Sequence, residues 1–242
     1  MSVGYAIHTH VGAGTLQAST GASTVAVSPN ASTRPLDLVV VVCYTAADAT
    51  LVKDAGDGWV VLDSGYDSVN TYGIFIAACI APRNGATGYA GLTLPSSAAY
   101  TARCSTFRIL QPFKFDLAVR AGSTGWFNAT ASSTTSSAPA ILQPYGQVLD
   151  ILGRGYNNGG TTTTSGNVTN FTERFDTGQA SPAHGVVLNE RTALVLGTQQ
   201  NALVSGTLAV AKTNRAGVRA MIGIVGNTTN RGRYLSNRRA GG

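Results

Sequence analysis

The chain has 242 residues and a formal net charge of +6, and 43% of its residues are hydrophobic. This apolar content supports a sizeable buried core and excludes a wholly disordered chain, and the length fits one large β domain or two small ones. Only 12% of the residues are charged, about half of the ~25% that is usual in soluble proteins. So few charges predict a subunit whose faces are covered by neighbouring molecules.

Short apolar runs separated by Gly, Ser, Asn and Asp turns recur along the chain. The clearest run is residues 36–44, which lacks alternation and is therefore expected to be buried on both faces. Runs of this kind between such turns are typical of a sandwich of packed β-sheets. In chain order, the predicted strands are residues 3–11, 22–27, 36–44, 59–62, 73–81, 92–94, 100–110, 113–119, 126–127, 147–152, 168–176, 185–196, 203–212 and 218–225.

The segments between these strands are less regular, and none of them predicts an amphipathic helix. Residues 129–137 are rich in Ser and Thr, which fits either a linker or a strand with a Thr-lined face. Residues 154–166 carry Gly, Asn and Thr and predict a long loop. We expect residues 1–226 to form a single β-sandwich domain, with residues 1–34 either inside it or at its periphery. Residues 227–242 then form a basic, extended C-terminal arm.

Arginine clusters near the end of the chain and makes this arm the predicted partner-binding segment. Its arginines are Arg231, Arg233, Arg238 and Arg239. They are expected to lie in an acidic groove of the next subunit. Nucleic acid is not the expected partner, because aromatic residues make up 7% of the chain and do not alternate with the arginines as a stacking platform would.

Cysteine usage and hydropathy give expectations about the compartment. Cys43, Cys79 and Cys104 are odd in number, and the first two lie inside apolar runs, which favours buried, reduced thiols over disulfides or metal ligands. No signal peptide is recognised at the start, and no apolar stretch reaches the ~18 residues of a membrane span. We therefore expect assembly in a reducing cytoplasm and no membrane partner.

Candidate metal ligands are few. His8 and His10 share one face of a predicted strand, as half of a metal site would, but no cysteine or carboxylate is near them in sequence. They are therefore expected to be surface residues of an edge strand. The acidic residues around the Gly-rich turn lack the spacing of an EF-hand, so they are expected to cap that turn. These residues are Asp54, Asp57, Asp63 and Asp67.

Candidate catalytic residues are equally few. Glycoside hydrolysis needs two carboxylates across a cleft, but Glu173 and Glu190 are the only glutamates, and the aspartates are scattered along strands. The Glu173–Arg174 pair is expected to be structural. No Gly-x-Ser-x-Gly elbow is present, and no cysteine has an activating neighbour in sequence. We therefore predict no catalytic residue, no cofactor, no metal and a non-enzymatic function.

Several motifs resemble a known family. They are Pro35-Leu36-Asp37-Leu38-Val39-Val40-Val41, Gly58-Trp59-Val60-Val61-Leu62, Phe107-Arg108, Phe171-Thr172-Glu173-Arg174-Phe175-Asp176 and Met221-Ile222-Gly223-Ile224-Val225. With them, residues 36–225 resemble the jelly-roll-like β-sandwich virion proteins of long-tailed bacteriophages, especially those of actinobacterial hosts. The resemblance implies a jelly-roll-like antiparallel β-sandwich, a place in the virus particle and no catalytic residue to carry over.

Composition and resemblance together predict a non-enzymatic virion structural protein, in the first place a minor tail protein assembled by subunit packing. Its expected partners are other virion proteins and copies of itself. Two alternatives remain open. The first is a capsid-surface decoration protein. The second is a carbohydrate-binding module at the tail tip, which would contact a host surface glycan through Trp126 and Phe127, because Trp59 is expected to be a core residue.

Overall fold

Strands supply nearly all of the regular structure. The computed structural model describes residues 7–53, 58–82, 89, 91–122, 126–128, 133–137, 145–157, 165–168, 170–196, 203–208 and 213–226. Within these residues one short 3-10 turn, Ala49–Leu51, accompanies the strands. In chain order the strands are β1 (His8–Ala13), β2 (Gln17–Val25), β3 (Leu38–Thr45), β4 (Val60–Asp67), β5 (Tyr72–Ile80), β6 (Leu92–Ile109), β7 (Phe113–Gly122), β8 (Trp126–Asn128), β9 (Ser133–Ser137), β10 (Tyr145–Asn157), β11 (Ser165–Val168), β12 (Thr172–Gly178), β13 (His184–Leu196), β14 (Leu203–Leu208) and β15 (Thr213–Gly226).

The first sheet is built around the clearest apolar run of the sequence. Its order is β1-β6-β3-β5-β4, with β2 also beside β6, so β3 lies at the centre. Val40 and Val42 belong to the core between the two large sheets, whereas Val39 and Val41 belong to a second apolar cluster that contains Trp59. All eight residues of β3 are buried. The prediction that both faces of the run are buried is confirmed for residues 38–44 and is wrong for Leu36, which is 70% exposed, and the prediction that Trp59 is a core residue is confirmed.

The second half of the chain forms the other large sheet. Its order is β12-β13-β10-β15-β7, with β8 also beside β15, and β9, β11 and β14 form a small third sheet. β10 is the central strand, and its register places Leu149 opposite Ile222 of β15. Leu149 and Ile151 alternate along β10 and enter the same core as Val40 of the first sheet. The sandwich core is thus shared by the two halves of the chain.

The predicted all-β sandwich is confirmed, since two antiparallel sheets pack against each other. The described strands pass between the two large sheets once, between β6 and β7, because successive strands pair within their own half of the chain. A jelly roll passes between its sheets repeatedly, so the connections differ from that pattern while the layered architecture is the same. Among the residues that the structure describes, no helix has the length and hydropathy that a bilayer crossing requires.

Two predicted strands, residues 92–94 and 100–110, form one 18-residue strand, β6. The sequence suggested a break at Pro95 because proline cannot donate a ladder hydrogen bond. In β6, Pro95 falls where the pairing with β2 is irregular, between the pairs Ala22–Ala98 and Thr24–Thr93. Proline is tolerated at such a bulge. The strand therefore continues through it.

Other boundaries also differ from the predictions. β10 continues to Asn157, so the loop predicted for residues 154–166 is wrong at its start, where Arg154 is 1% exposed. The predicted strand at residues 168–176 is two strands, which are separated near Asn170 with its φ of 66°. Of the Ser/Thr-rich segment 129–137, residues 133–137 form β9, as one of its two interpretations predicted. The predicted arm at residues 227–242 lies outside the described residues.

Candidate functional site

The described part of the structure does not bring the predicted partner-binding residues together. The residues that the structure describes do not include the four arginines of the predicted arm, Arg231, Arg233, Arg238 and Arg239. Trp126 and Phe127 lie on β8, where their backbones pair with Gly217 and Ala216 of β15. The roles proposed for these two sets of residues stay predictions.

The predicted buried thiols are confirmed. Cys43, Cys79 and Cys104 are all buried, and none of them forms a disulfide. Burial raises the pKa of the Cys104 thiol to about 12 and that of Cys43 well above its ordinary value. Within the described ranges, no group of three or more His, Cys, Asp or Glu side chains is placed to hold a metal ion.

β1 brings its first histidine into a buried polar cluster between the sheets. His8 is 8% exposed, its Nε2 lies 3.4 Å from Oε2 of Glu190, and its Nδ1 lies 3.2 Å from the hydroxyl of Thr192. Arg174 donates from Nε and Nη2 to Oε1 of Glu190. The carboxylate that binds Arg174 therefore lies on β13. The prediction of a surface position is therefore wrong for His8, because β1 packs beside β12 and meets the buried carboxylate of Glu190.

The charges in this cluster are fixed by burial and hydrogen bonding. Burial opposes ionisation of Glu190, but hydrogen bonds from His8 and Arg174 outweigh it and lower the pKa of the carboxyl. Burial, together with the positive charge of Arg174, lowers the pKa of His10 to about 4. A general base works best when its pKa is near the operating pH, whereas the pKa of His10 is about 4. An ionised carboxylate clamped by Arg174 beside a neutral His10 fits a brace between the sheets.

A second buried polar cluster lies on the face of the second sheet that points away from the core. Asp150 accepts hydrogen bonds from Arg219 at 2.7 and 2.6 Å and from Arg191 at 2.7 Å. The ring of Phe171 lies over the Arg191 guanidinium, at 4.5 Å from its central carbon. Sequence reasoning counted Asp150 among the scattered acids. Successive side chains of a strand point to opposite faces, so Asp150 points away from the core that Leu149 enters. This alternation is the signal that sequence reasoning missed.

The acidic residues of the Gly-rich turn have two different roles. Asp67 caps a turn, but it is the turn between β4 and β5 and not the predicted Gly-rich turn, since it accepts hydrogen bonds from the backbone of Val69 at 2.9 Å and Asn70 at 3.2 Å. The side chain of Asn70 also donates to this carboxylate and lowers its pKa. The turn-capping prediction is wrong for Asp63, which accepts from the backbone N–H of Arg219 at 3.0 Å and so links the two large sheets. Asp54 and Asp57 lie outside the described residues.

The strongest candidate for an interaction site is the turn that leads into β3. The backbone N–H of Asp37 donates to Arg34 at 3.1 Å and closes a four-residue turn with Pro35 and Leu36 at its centre. Leu36 has a φ of 72°, the left-handed value that a type II turn needs at this position and that usually falls on glycine. Leucine is strained there, yet its side chain is 70% exposed. It therefore gains little packing within its own molecule.

Buried Asp37 holds this strained turn in place. Its carboxylate accepts a hydrogen bond from the backbone of Arg34 at 2.8 Å and two from the guanidinium of Arg108 at 2.9 and 2.7 Å. The backbones of Leu36 and Asp37 also bond to that of Ala81 at 3.1 and 2.7 Å. Backbone strain persists where the surroundings over-determine it, and it concentrates at functional sites. These contacts fix Leu36 in its outward position.

A second exposed leucine lies at the same end of the first sheet. The register that pairs Leu38 with Phe107 places Leu36 and Leu110 at the same end of adjacent strands. Leu110 is 49% exposed. We call the surface formed by Pro35, Leu36 and Leu110 the apolar end. Sequence reasoning missed it by placing Leu36 in a buried strand, and the missed signal was Pro35, because proline favours the second position of a turn.

Comparisons with known proteins add no functional assignment. No family model and no curated protein matches this chain. The crystal structure of GK1651 from Geobacillus kaustophilus is similar over 88% of this chain and 96% of that chain, with a TM-score of 0.21 and 10% sequence identity. Similarity at this level carries no argument about fold or function.

Proposed function

We propose that this chain is a non-enzymatic structural protein of a bacteriophage virion, and first of all a minor tail protein. The resemblance of residues 36–225 to phage virion proteins supports the proposal, as does the β-sandwich itself. The observation that carries it is the exposed Leu36, held in a left-handed conformation by a buried carboxylate. A subunit that works by packing against neighbours needs apolar anchors of this kind.

The energetics of Leu36 favour a neighbour over solvent. A left-handed conformation costs a residue with a Cβ about 1–2 kcal/mol. Burying a leucine side chain contributes about 1.5–3 kcal/mol. In the isolated molecule the 70% exposed side chain obtains little of that gain, so the strain is hardly offset. Contact with another subunit would supply the missing burial.

The low charge of the chain supports the same proposal. Charged residues make up 12% of the sequence, and the exposed large hydrophobic residues include Leu51 at 57% and Val69 at 86%. Single exposed hydrophobic residues are ordinary, but a sparsely charged surface interrupted by several of them is typical of a face that becomes covered. A particle subunit meets this description.

Locating the protein in purified phage particles tests the proposal. Particles would be separated into heads and tails, and each fraction would be analysed by mass spectrometry and by labelling with a specific antibody. We expect the protein in the tail fraction. Presence on heads would replace the tail assignment with the decoration alternative, and absence from both fractions would contradict a structural role. A glycan array with the isolated protein tests the carbohydrate-binding alternative, for which binding must be lost in Trp126→Ala.

A further inference from the structure

We infer that the apolar end of one copy docks into an apolar depression at the opposite end of the first sheet of a second copy. The inference rests on the proposed structural role and names the partner of the surface around Leu36. Two observations carry it. One is the braced, strained presentation of Leu36, and the other is a depression of suitable size and chemistry elsewhere on the same chain.

The depression lies where the 3-10 turn meets the start of β6. It has a volume of about 380 Å³ and is lined by Leu51, Lys53, Thr93, Leu94 and Pro95. Two backbone hydrogen bonds between Lys53 and Thr93, at 3.0 and 2.9 Å, fix its wall. Leu94 is 3% exposed and Leu51 57% exposed. Since a water molecule takes about 30 Å³, the depression has room for the four carbon atoms of a leucine side chain.

The two surfaces lie at opposite ends of one strand. Leu94 is near the start of β6, and Leu110 directly follows its end, 110 − 94 = 16 residues later. At about 3.3 Å per residue, these positions are up to about 50 Å apart. A projection at one end and a complementary depression at the other make a head-to-tail contact, which repeats into a ring or a filament.

The chemistry of the two surfaces predicts how the contact responds to salt. The contact is apolar, and each of its two surfaces has an exposed positive side chain beside it, Arg34 at the apolar end and Lys53 at the depression. Sulfate strengthens apolar contacts and also screens this repulsion, so association is expected to rise with sulfate. Docking of the basic arm in an acidic groove would respond in the opposite direction, because salt weakens exposed charge pairs.

The area involved predicts a weak contact between two isolated copies. A single anchor and its rim cover much less than the ~800 Å² per partner that is usual for stable complexes. Association is therefore measured by sedimentation velocity of the full chain over about 10 µM to 1 mM, with and without sulfate. We expect a concentration-dependent series of oligomers for the wild-type chain.

Two variants each disrupt one of the two surfaces that form the contact. Leu36→Asn removes the apolar side chain while keeping a residue that tolerates left-handed backbone. Leu51→Asp places a charge at the exposed rim of the depression. Each variant is expected to weaken association at least about tenfold, as loss of an interface anchor does. An equimolar mixture should form 1:1 dimers, because each variant keeps the end that the other has lost.

A matched control and a second measurement keep the inference falsifiable. Val69→Asn changes another exposed hydrophobic residue and should leave association unchanged, and urea denaturation should confirm that all three variants are folded. A monomeric wild type in sulfate, a mixture that stays monomeric, or equal weakening by Val69→Asn would each overturn the head-to-tail contact. A wild type that is monomeric yet present in particles rejects this contact alone, whereas absence from particles rejects the proposed function.

Discussion

Asp150 neutralises two arginines on the outer face of the second sheet. Its carboxylate is fully buried between Arg219, which is 1% exposed, and Arg191. Removal of the carboxylate takes away the counter-charge of Arg219, and breaking a buried ion pair in this way costs about 3–5 kcal/mol. We predict that Asp150→Ala lowers the free energy of unfolding by about this amount, as measured by urea denaturation.

Asp48→Ala provides the comparison for this prediction. Asp48 accepts a hydrogen bond from the backbone of Thr50 at 3.0 Å and caps the 3-10 turn near the surface. Loss of such a cap costs about 1 kcal/mol. Equal losses in Asp48→Ala and Asp150→Ala would show that the buried cluster contributes no more than a surface cap.

At the scale of elements, two glycines of β10 let the large sheets approach each other. A Cβ on Gly155 would lie 2.4 Å from the Cδ2 atom of Tyr44, and one on Gly153 would lie 3.0 Å from Ile76. Tyr44 cannot move aside easily, because it is buried and its ring stacks on Tyr72 with centroids 5.5 Å apart. The position of β10 over β3 therefore depends on the missing side chain at Gly155.

We predict that Gly155→Ala lowers the free energy of unfolding by about 1–3 kcal/mol, since overpacking forces the sheets or Tyr44 to shift. Gly153→Ala should cost less, because its closest contact is longer. Gly226→Ala is the control, since a Cβ there would meet nothing within 4 Å, and its effect should stay within about 0.5 kcal/mol. Chemical denaturation of the three variants gives the order, and a Gly226 effect as large as that of Gly155 would contradict this account.

The strands were predicted best where their side chains are of one kind. β3 was recognisable as buried on both faces because all eight of its residues are apolar or small. The later strands mix polar and apolar residues, so their ends were misplaced. β10 was ended at Leu152 because Arg154 and Gly155 are typical of loops, whereas the fold buries Arg154 and bonds it to Asn189 at 2.9 Å. That partner is 35 residues away in sequence.

The candidate sites were harder to predict because they depend on contacts between distant residues. Nothing near His8 in sequence indicates Glu190, which meets it only when β1 packs beside the second sheet. Leu36 looked like part of a strand because its neighbours are apolar. Its exposure follows from the hydrogen bonds of Asp37 to Arg108, 71 residues later. The local sequence pattern therefore predicted the sheets of the fold, whereas contacts between residues distant in sequence determined which side chains are buried and which are exposed.

At the scale of the whole molecule, the proposed role includes the basic arm. Residues 230–242 carry Arg231, Arg233, Arg238 and Arg239, and an acidic groove on a neighbouring subunit is their expected partner. We predict that deletion of residues 230–242 reduces incorporation into particles, as measured by mass spectrometry of purified virions. Replacement of the four arginines by glutamine should have the same effect at unchanged length. Unchanged incorporation of both variants would remove the arm from the account.

The pH dependence of stability tests the packing of both halves of the molecule together. Burial lowers the pKa of His184 from 6.5 to about 4, and burial with the charge of Arg174 lowers that of His10 to about 4. The unfolded chain therefore binds more protons than the folded chain between these values, so stability is complete above about pH 6.5 and falls as the pH decreases towards 4. The lowered pKa of Glu190 acts in the same direction at still lower pH.

We predict that the free energy of unfolding is lower at about pH 5 than at about pH 7, by about 1–2 kcal/mol from His184 and by less from His10, which is only partly buried. His184 packs edge-on against Tyr44, with ring centroids 4.9 Å apart. His184→Phe keeps an aromatic ring beside Tyr44 and cannot take up a proton, so its loss of stability over the same pH interval should be smaller. Urea denaturation at the two pH values measures both losses. A wild type as stable at pH 5 as at pH 7 would mean that these histidines are protonated in the fold and that the two sheets do not exclude water from them.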